Sequence, residues 1–66
     1  MLIGRDADGR IVSWTETYFT NDEIVTVNAT RNITTISTQN RKTGAVASRT
    51  FFGTMPLPGA FDPTSK

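Results

Sequence analysis

Three observations predict an all-β fold for this chain: a small five-stranded antiparallel meander, barrel-like or a curled sheet, with an extended Pro-rich C-terminal arm. The first is composition. Twelve of the 66 residues are threonine, and leucine, glutamate, glutamine and lysine are scarce, with two, two, one and, inside the folded region, one. β-Branched and aromatic side chains suit a pleated, half-buried surface, and a helix restricts their rotamers. The second is short runs in which apolar and polar side chains alternate with a period of two. The third is punctuation: Asp6-Ala7-Asp8-Gly9, Thr20-Asn21-Asp22-Glu23 and Asn40-Arg41-Lys42-Thr43-Gly44 separate those runs with turn-forming residues.

The first strand is read over Leu2–Arg5, and the Asp8-Gly9 pair supplies the positive φ that a tight hairpin needs. The second covers 10–19, with Val12, Trp14 and Tyr18 on one face and Ile11, Ser13, Thr15 and Thr17 on the other. A third strand over 24–30 lines up Val25, Val27 and Ala29. Thr20 followed by Glu23 also fits a helix capping box. The β-branched run behind it, Ile24-Val25-Thr26-Val27, argues against a helix.

A fourth strand over 32–38 carries Ile33 and Ile36 on opposite faces, so hydrophobicity alone leaves its register poorly defined. An edge position, or a surface that another chain covers, would account for this. Gly44 closes the next hairpin loop, and a fifth strand over 45–52 places Val46, Ser48, Thr50 and Phe52 opposite Ala45, Ala47, Arg49 and Phe51. The expected core is Val12, Trp14, Tyr18, Val25, Val27, Val46 and Phe52. Ile3, Ile11, Ile24, Ile33, Ile36 and Phe51 are assigned to the other faces or to a place beneath the arm.

The composition changes at Gly53. Pro56, Pro58 and Pro63 forbid a helix or a central strand and favour an extended path, so residues 1–53 are read as the domain and 54–66 as an arm. Met55, Leu57 and Phe61 are too apolar to be left in water as a set. They are the expected partner-binding anchors, laid over a groove of a neighbouring subunit; the competing expectation is that the arm folds back on its own sheet. A chain this short buries only roughly 60% of the surface it exposes when unfolded. A thin core is therefore expected.

Absence of cysteine and histidine removes disulfides, thiol nucleophiles, imidazole acid–base chemistry and the ordinary zinc and haem ligands, so no metal or cofactor is expected. Asp6-Ala7-Asp8-Gly9 begins like a calcium loop, but the twelfth residue counted from Asp6 is Thr17 where a bidentate glutamate is needed. The sequons at Asn28 and Asn32 are read as chance in a chain rich in Thr and Asn. Asp22 and Glu23 are adjacent, point to opposite faces of a strand, and make no acid–base pair. Glu16 is the one acid within an apolar stripe, and Arg10 or Arg49 is its expected partner. No catalytic constellation emerges, and the chain is read as non-enzymatic.

Seven Lys plus Arg against six Asp plus Glu give a net charge of +1, and no apolar run approaches the length of a membrane span. With no secretory pattern after Met1, the chain is read as cytoplasmic, or assembled into a virion from the cytoplasm. The reading of function is a structural, assembly or binding module that completes its burial against copies of itself, as a homo-oligomer, or against a larger protein partner. Its Thr-rich composition and extended arm resemble, in style alone, phage capsid and tail decoration domains. The alternative is a small barrel that binds single-stranded nucleic acid through Arg41, Lys42 and Arg49. The nearly balanced charge argues against it.

Overall fold

The computed structural model describes residues 1–64, and these form one five-stranded antiparallel sheet in the order β1-β2-β3-β4-β5. The strands are β1 (Leu2–Arg5), β2 (Ile11–Phe19), β3 (Glu23–Thr30), β4 (Ile33–Asn40) and β5 (Val46–Phe52). Each pairs only with its sequence neighbours, so the sheet is open, with β1 and β5 as its edges and β3 at its centre. There is no barrel closure. The described residues occupy 43 × 20 × 20 Å.

Local chemistry sets the turns. Asp6 accepts from the amides of Asp8 and Arg10 at 2.9 and 3.0 Å, while Gly9 takes a φ of 82° that its missing Cβ permits. Asn40 does the same work at the β4–β5 loop, accepting from the amides of Lys42 and Thr43, with Gly44 at a φ of 77°. The Thr20 hydroxyl accepts from the Glu23 amide at 3.0 Å. That is the contact a capping box would make, used here to close a hairpin between β2 and β3.

Registry assigns the faces. Trp14 lies opposite Ala29 and Ile3, Glu16 opposite Val27, and Tyr18 opposite Val25; Val27 continues across to Ile36, Ala29 to Thr34, and Thr34 to Phe51. Trp14, Val27 and Ala29 are fully buried, and Ile11, Tyr18, Val25, Ile36, Met55 and Phe61 pack around them. We call this the arm face. The reverse face carries Ser13, Thr15, Thr17, Thr26, Asn28, Thr35, Ser37, Ser48 and Thr50, with Leu2, Phe19, Ile33, Val46 and Phe52 towards its margins.

Three core expectations are corrected by this registry. Val46 and Phe52 are 66% and 79% exposed on the reverse face, because it is Ala47, Arg49 and Phe51 that lie on the arm face. Ile11 joins the core in place of Val12. The β1–β2 register passes from Gly4↔Ser13 to Arg5↔Ile11, which leaves Val12 as an extra residue and turns Ile11 to the side of Trp14. Ala29 and Ile36 complete the cluster. No helix among the described residues is long and apolar enough to cross a membrane.

Candidate functional site

The C-terminal arm is positioned by Trp14. From Gly53, whose amide donates to the Asn32 carbonyl at 3.0 Å, the chain turns onto the arm face. The Trp14 indole Nε1 donates to the Pro56 carbonyl at 2.9 Å, satisfying the polar atom of the largest buried side chain. Met55 packs beside it. Beyond Pro56 the arm is not extended as expected. The amides of Ala60 and Asp62 donate to the carbonyls of Leu57 and Gly59, forming successive turns that Gly59 permits with a φ of 87°. These turns bring Phe61 over Phe51, with ring centroids 6.5 Å apart and planes 14° from parallel. The Asp62 carboxyl is held below its usual value by the Thr64 hydroxyl and then by the Thr64 amide, both donating to it.

Two of the three expected anchors, Met55 and Phe61, therefore lie on the chain's own sheet. Leu57 points away and is 79% exposed. The arm covers only part of its face. Beside it lies a groove of about 580 Å³, lined by Ile36, Thr38, Ala47, Arg49, Phe51 and Phe61, with Glu23, Asn40, Ala45 and Val46 completing its walls. Its lining is mostly apolar, with one guanidinium and one carboxylate. Neither Arg49 nor Glu23 makes an ion pair among the described residues, where the ion pair formed is Arg31 with Asp6 at 3.3 Å.

The groove runs along β5, and every residue of β5 is exposed. The two ladder bonds that flank this strand fix its backbone polarity. The Asn40 amide donates to the Ala45 carbonyl and the Gly53 amide to the Asn32 carbonyl, so the odd-numbered residues of β5 face β4. The amides and carbonyls of Val46, Ser48, Thr50 and Phe52 consequently point out of the sheet. They form an unpaired edge, with Arg49 as its one charged residue.

The cations proposed for nucleic acid are scattered in role. Arg41 is tied down: its Nη1 donates to the Thr20 carbonyl at 2.9 Å, and its amide donates to the Asp22 carbonyl. Lys42 sits at the tip of the β4–β5 loop, whereas Arg49 lies in the groove. Arg31 is at the opposite end of the sheet from Arg41 and Lys42, paired with Asp6. Of the aromatic rings, Trp14 is buried and Phe51 is stacked on Phe61. Glu16 is not paired with Arg10 or Arg49; the Tyr18 hydroxyl donates to it. No three His, Cys, Asp or Glu side chains among the described residues cluster as metal ligands would.

The outward edge of β5 and the contribution of Phe61 to the groove were not foreseen from sequence. Phe61 is ten residues from Phe51, and no local pattern links them. The chain matches no protein-family model, no curated protein and no solved structure.

Proposed function

We propose that this chain is a non-catalytic binding or assembly module that engages protein through β5 and the groove beside it. The observation that carries this reading is the edge itself: seven consecutive exposed residues, with four sets of backbone donors and acceptors turned to solvent. Extended strands add to such edges because main-chain hydrogen bonds supply affinity and neighbouring pockets supply selectivity. Here the adjoining pocket is apolar and carries the guanidinium of Arg49. Incomplete cover of the arm face supports the same reading, since a partner at β5 would extend over Phe51 and Phe61. A repetitive assembly such as a virion surface is a setting that suits a small subunit of this kind.

Sedimentation velocity of the intact chain, alone and with proteins that co-purify from its natural source, tests the reading. A species larger than the monomer is expected in one arm or the other. A chain that stays monomeric and unaccompanied, yet binds single-stranded oligonucleotide at micromolar or tighter affinity in 150 mM salt, would overturn it in favour of nucleic acid.

A further inference from the structure

We infer that the partner at β5 is the β5 strand of a second copy, paired antiparallel about a two-fold axis through Arg49, with Arg49 acting as a brake on the association. This rests on the binding-module reading above and names its partner. Backbone polarity restricts the possibilities. Only Val46, Ser48, Thr50 and Phe52 have outward-facing amides and carbonyls, so even-numbered residues must meet even-numbered residues. A two-fold axis at Arg49 pairs Val46 with Phe52 of the second copy and Ser48 with its Thr50, and every outward group on both strands finds a partner. Axes at Ser48 or Thr50 leave one of the four residues unmatched on each strand.

Side chains favour the same register. On the reverse face it brings Val46 and Phe52, 66% and 79% exposed in the monomer, against each other twice. On the arm face it sets Ala47 beside Phe51 of the second copy, extending the apolar floor made by Phe51 and Phe61. The cost falls at the centre, where the two Arg49 side chains meet in the closely spaced type of pair, and like charges placed directly opposite destabilise a sheet. An isologous contact also closes. The ten-stranded sheet it makes ends on two copies of β1, which is four residues long and adjoins the register shift at Gly4 and Arg5, a poor template for further addition.

Because the chain has no cysteine, single substitutions report the register directly. Opposed residues at the Arg49 axis lie about 4.5 Å apart between Cα atoms, within disulfide range, whereas Ser48 and Thr50 each face their own copy diagonally at about 7 to 8 Å. Under mild oxidation Arg49→Cys is expected to form a disulfide dimer faster than Ser48→Cys or Thr50→Cys. Sedimentation equilibrium should show the wild-type dimer tightening as salt rises. Arg49→Ala should tighten it severalfold, up to about fivefold, and remove the salt dependence. Thr50→Pro deletes an outward donor without touching the β4 ladder, and should give a monomer with an unchanged circular dichroism spectrum.

Fastest cross-linking at Ser48 or Thr50, or a dimer weakened by Arg49→Ala, overturns the register. A wild-type dimer that persists with Thr50→Pro moves the interface away from β5 while leaving an assembling module in place. A chain monomeric at about 1 mM that nevertheless binds a different protein removes the self-pairing and keeps the binding reading; with no partner at all, both fall. Should Thr50→Pro fail to fold, the cysteine rates decide alone.

Discussion

Both faces of the sheet carry apolar side chains, and the two sets have opposite fates. On the arm face the apolar residues are central: Trp14, Val25, Val27, Ala29 and Ile36 are contiguous across β2, β3 and β4, and three of them are fully buried. On the reverse face Leu2, Phe19, Ile33, Val46 and Phe52 stand at strand ends or on edge strands, separated by a field of Ser, Thr and Asn, and none is buried. Position on the sheet therefore goes with burial. A contiguous central patch can be capped by a single short arm, whereas residues divided among the margins can be covered only by something larger.

The largest test of that contrast is a pair of aromatic deletions. Trp14→Ala removes the buried indole and its bond to the Pro56 carbonyl, and should destabilise the fold by about 3 to 5 kcal/mol, enough to unfold a domain this small. Phe52→Ala on the reverse face should change the stability of the monomer by less than about 0.5 kcal/mol. Urea titrations followed by circular dichroism measure both, and equal losses would erase the distinction between the faces.

Truncation after Gly53 asks how much of the arm face depends on its cover. Met55 and Phe61 leave, and the Trp14 ring meets water, so a loss of about 2 kcal/mol is expected, read as a lower melting temperature at high dilution. An unchanged melting temperature would mean that the arm acts on another molecule, as the sequence expectation had it. A smaller effect belongs to the turns that hold both faces in register. Gly44→Ala imposes a side chain on a φ of 77° and should cost about 1 to 2 kcal/mol, with open space around the new methyl to exclude a clash as the cause.

The smallest expected effect lies at the end of the arm. Asp62 is held below its ordinary value by Thr64, so its contribution is present above the unfolded-state value near pH 4 and is lost as pH falls through the lower folded value. Thr64→Val should raise the Asp62 titration midpoint, followed by NMR of its carboxyl, with little change in the melting temperature. A midpoint that stays put would show that the turn is not formed in solution.

Much of this architecture was legible because its instructions are local. Asp6 with Gly9, Thr20 with Glu23, and Asn40 with Gly44 encode their turns within a few residues, and the alternation around Trp14 and Val27 names the buried face of β2 and β3. The face of β5 was not legible. Val46 with Phe52 and Ala47 with Phe51 offer similar hydrophobicity; the face is set by the β4–β5 register, and Phe61, which stacks on Phe51, is not connected to the strand by sequence pattern. Ile11 was hidden for a different reason, since one extra residue in β2 reverses the parity that the pattern relies on. For the candidate site, Arg49 could be picked out as a cation near aromatic rings, but the commitment of Arg41 to the Thr20 carbonyl depends on two hairpins meeting at one end of the sheet.

The bond from Trp14 to Pro56 also makes the molecule its own optical probe. The chain has one tryptophan, and its indole lies under the arm, in the centre of the sheet's core, with its N–H held by a carbonyl of the arm. Lifting the arm would hydrate that ring and shift its emission to the red while the strands, followed in the far ultraviolet, remain paired. If the two signals separate on heating or with denaturant, the arm is a latch with its own equilibrium. If they move together, the sheet and the arm behave as one cooperative unit despite a sheet that is open at both edges.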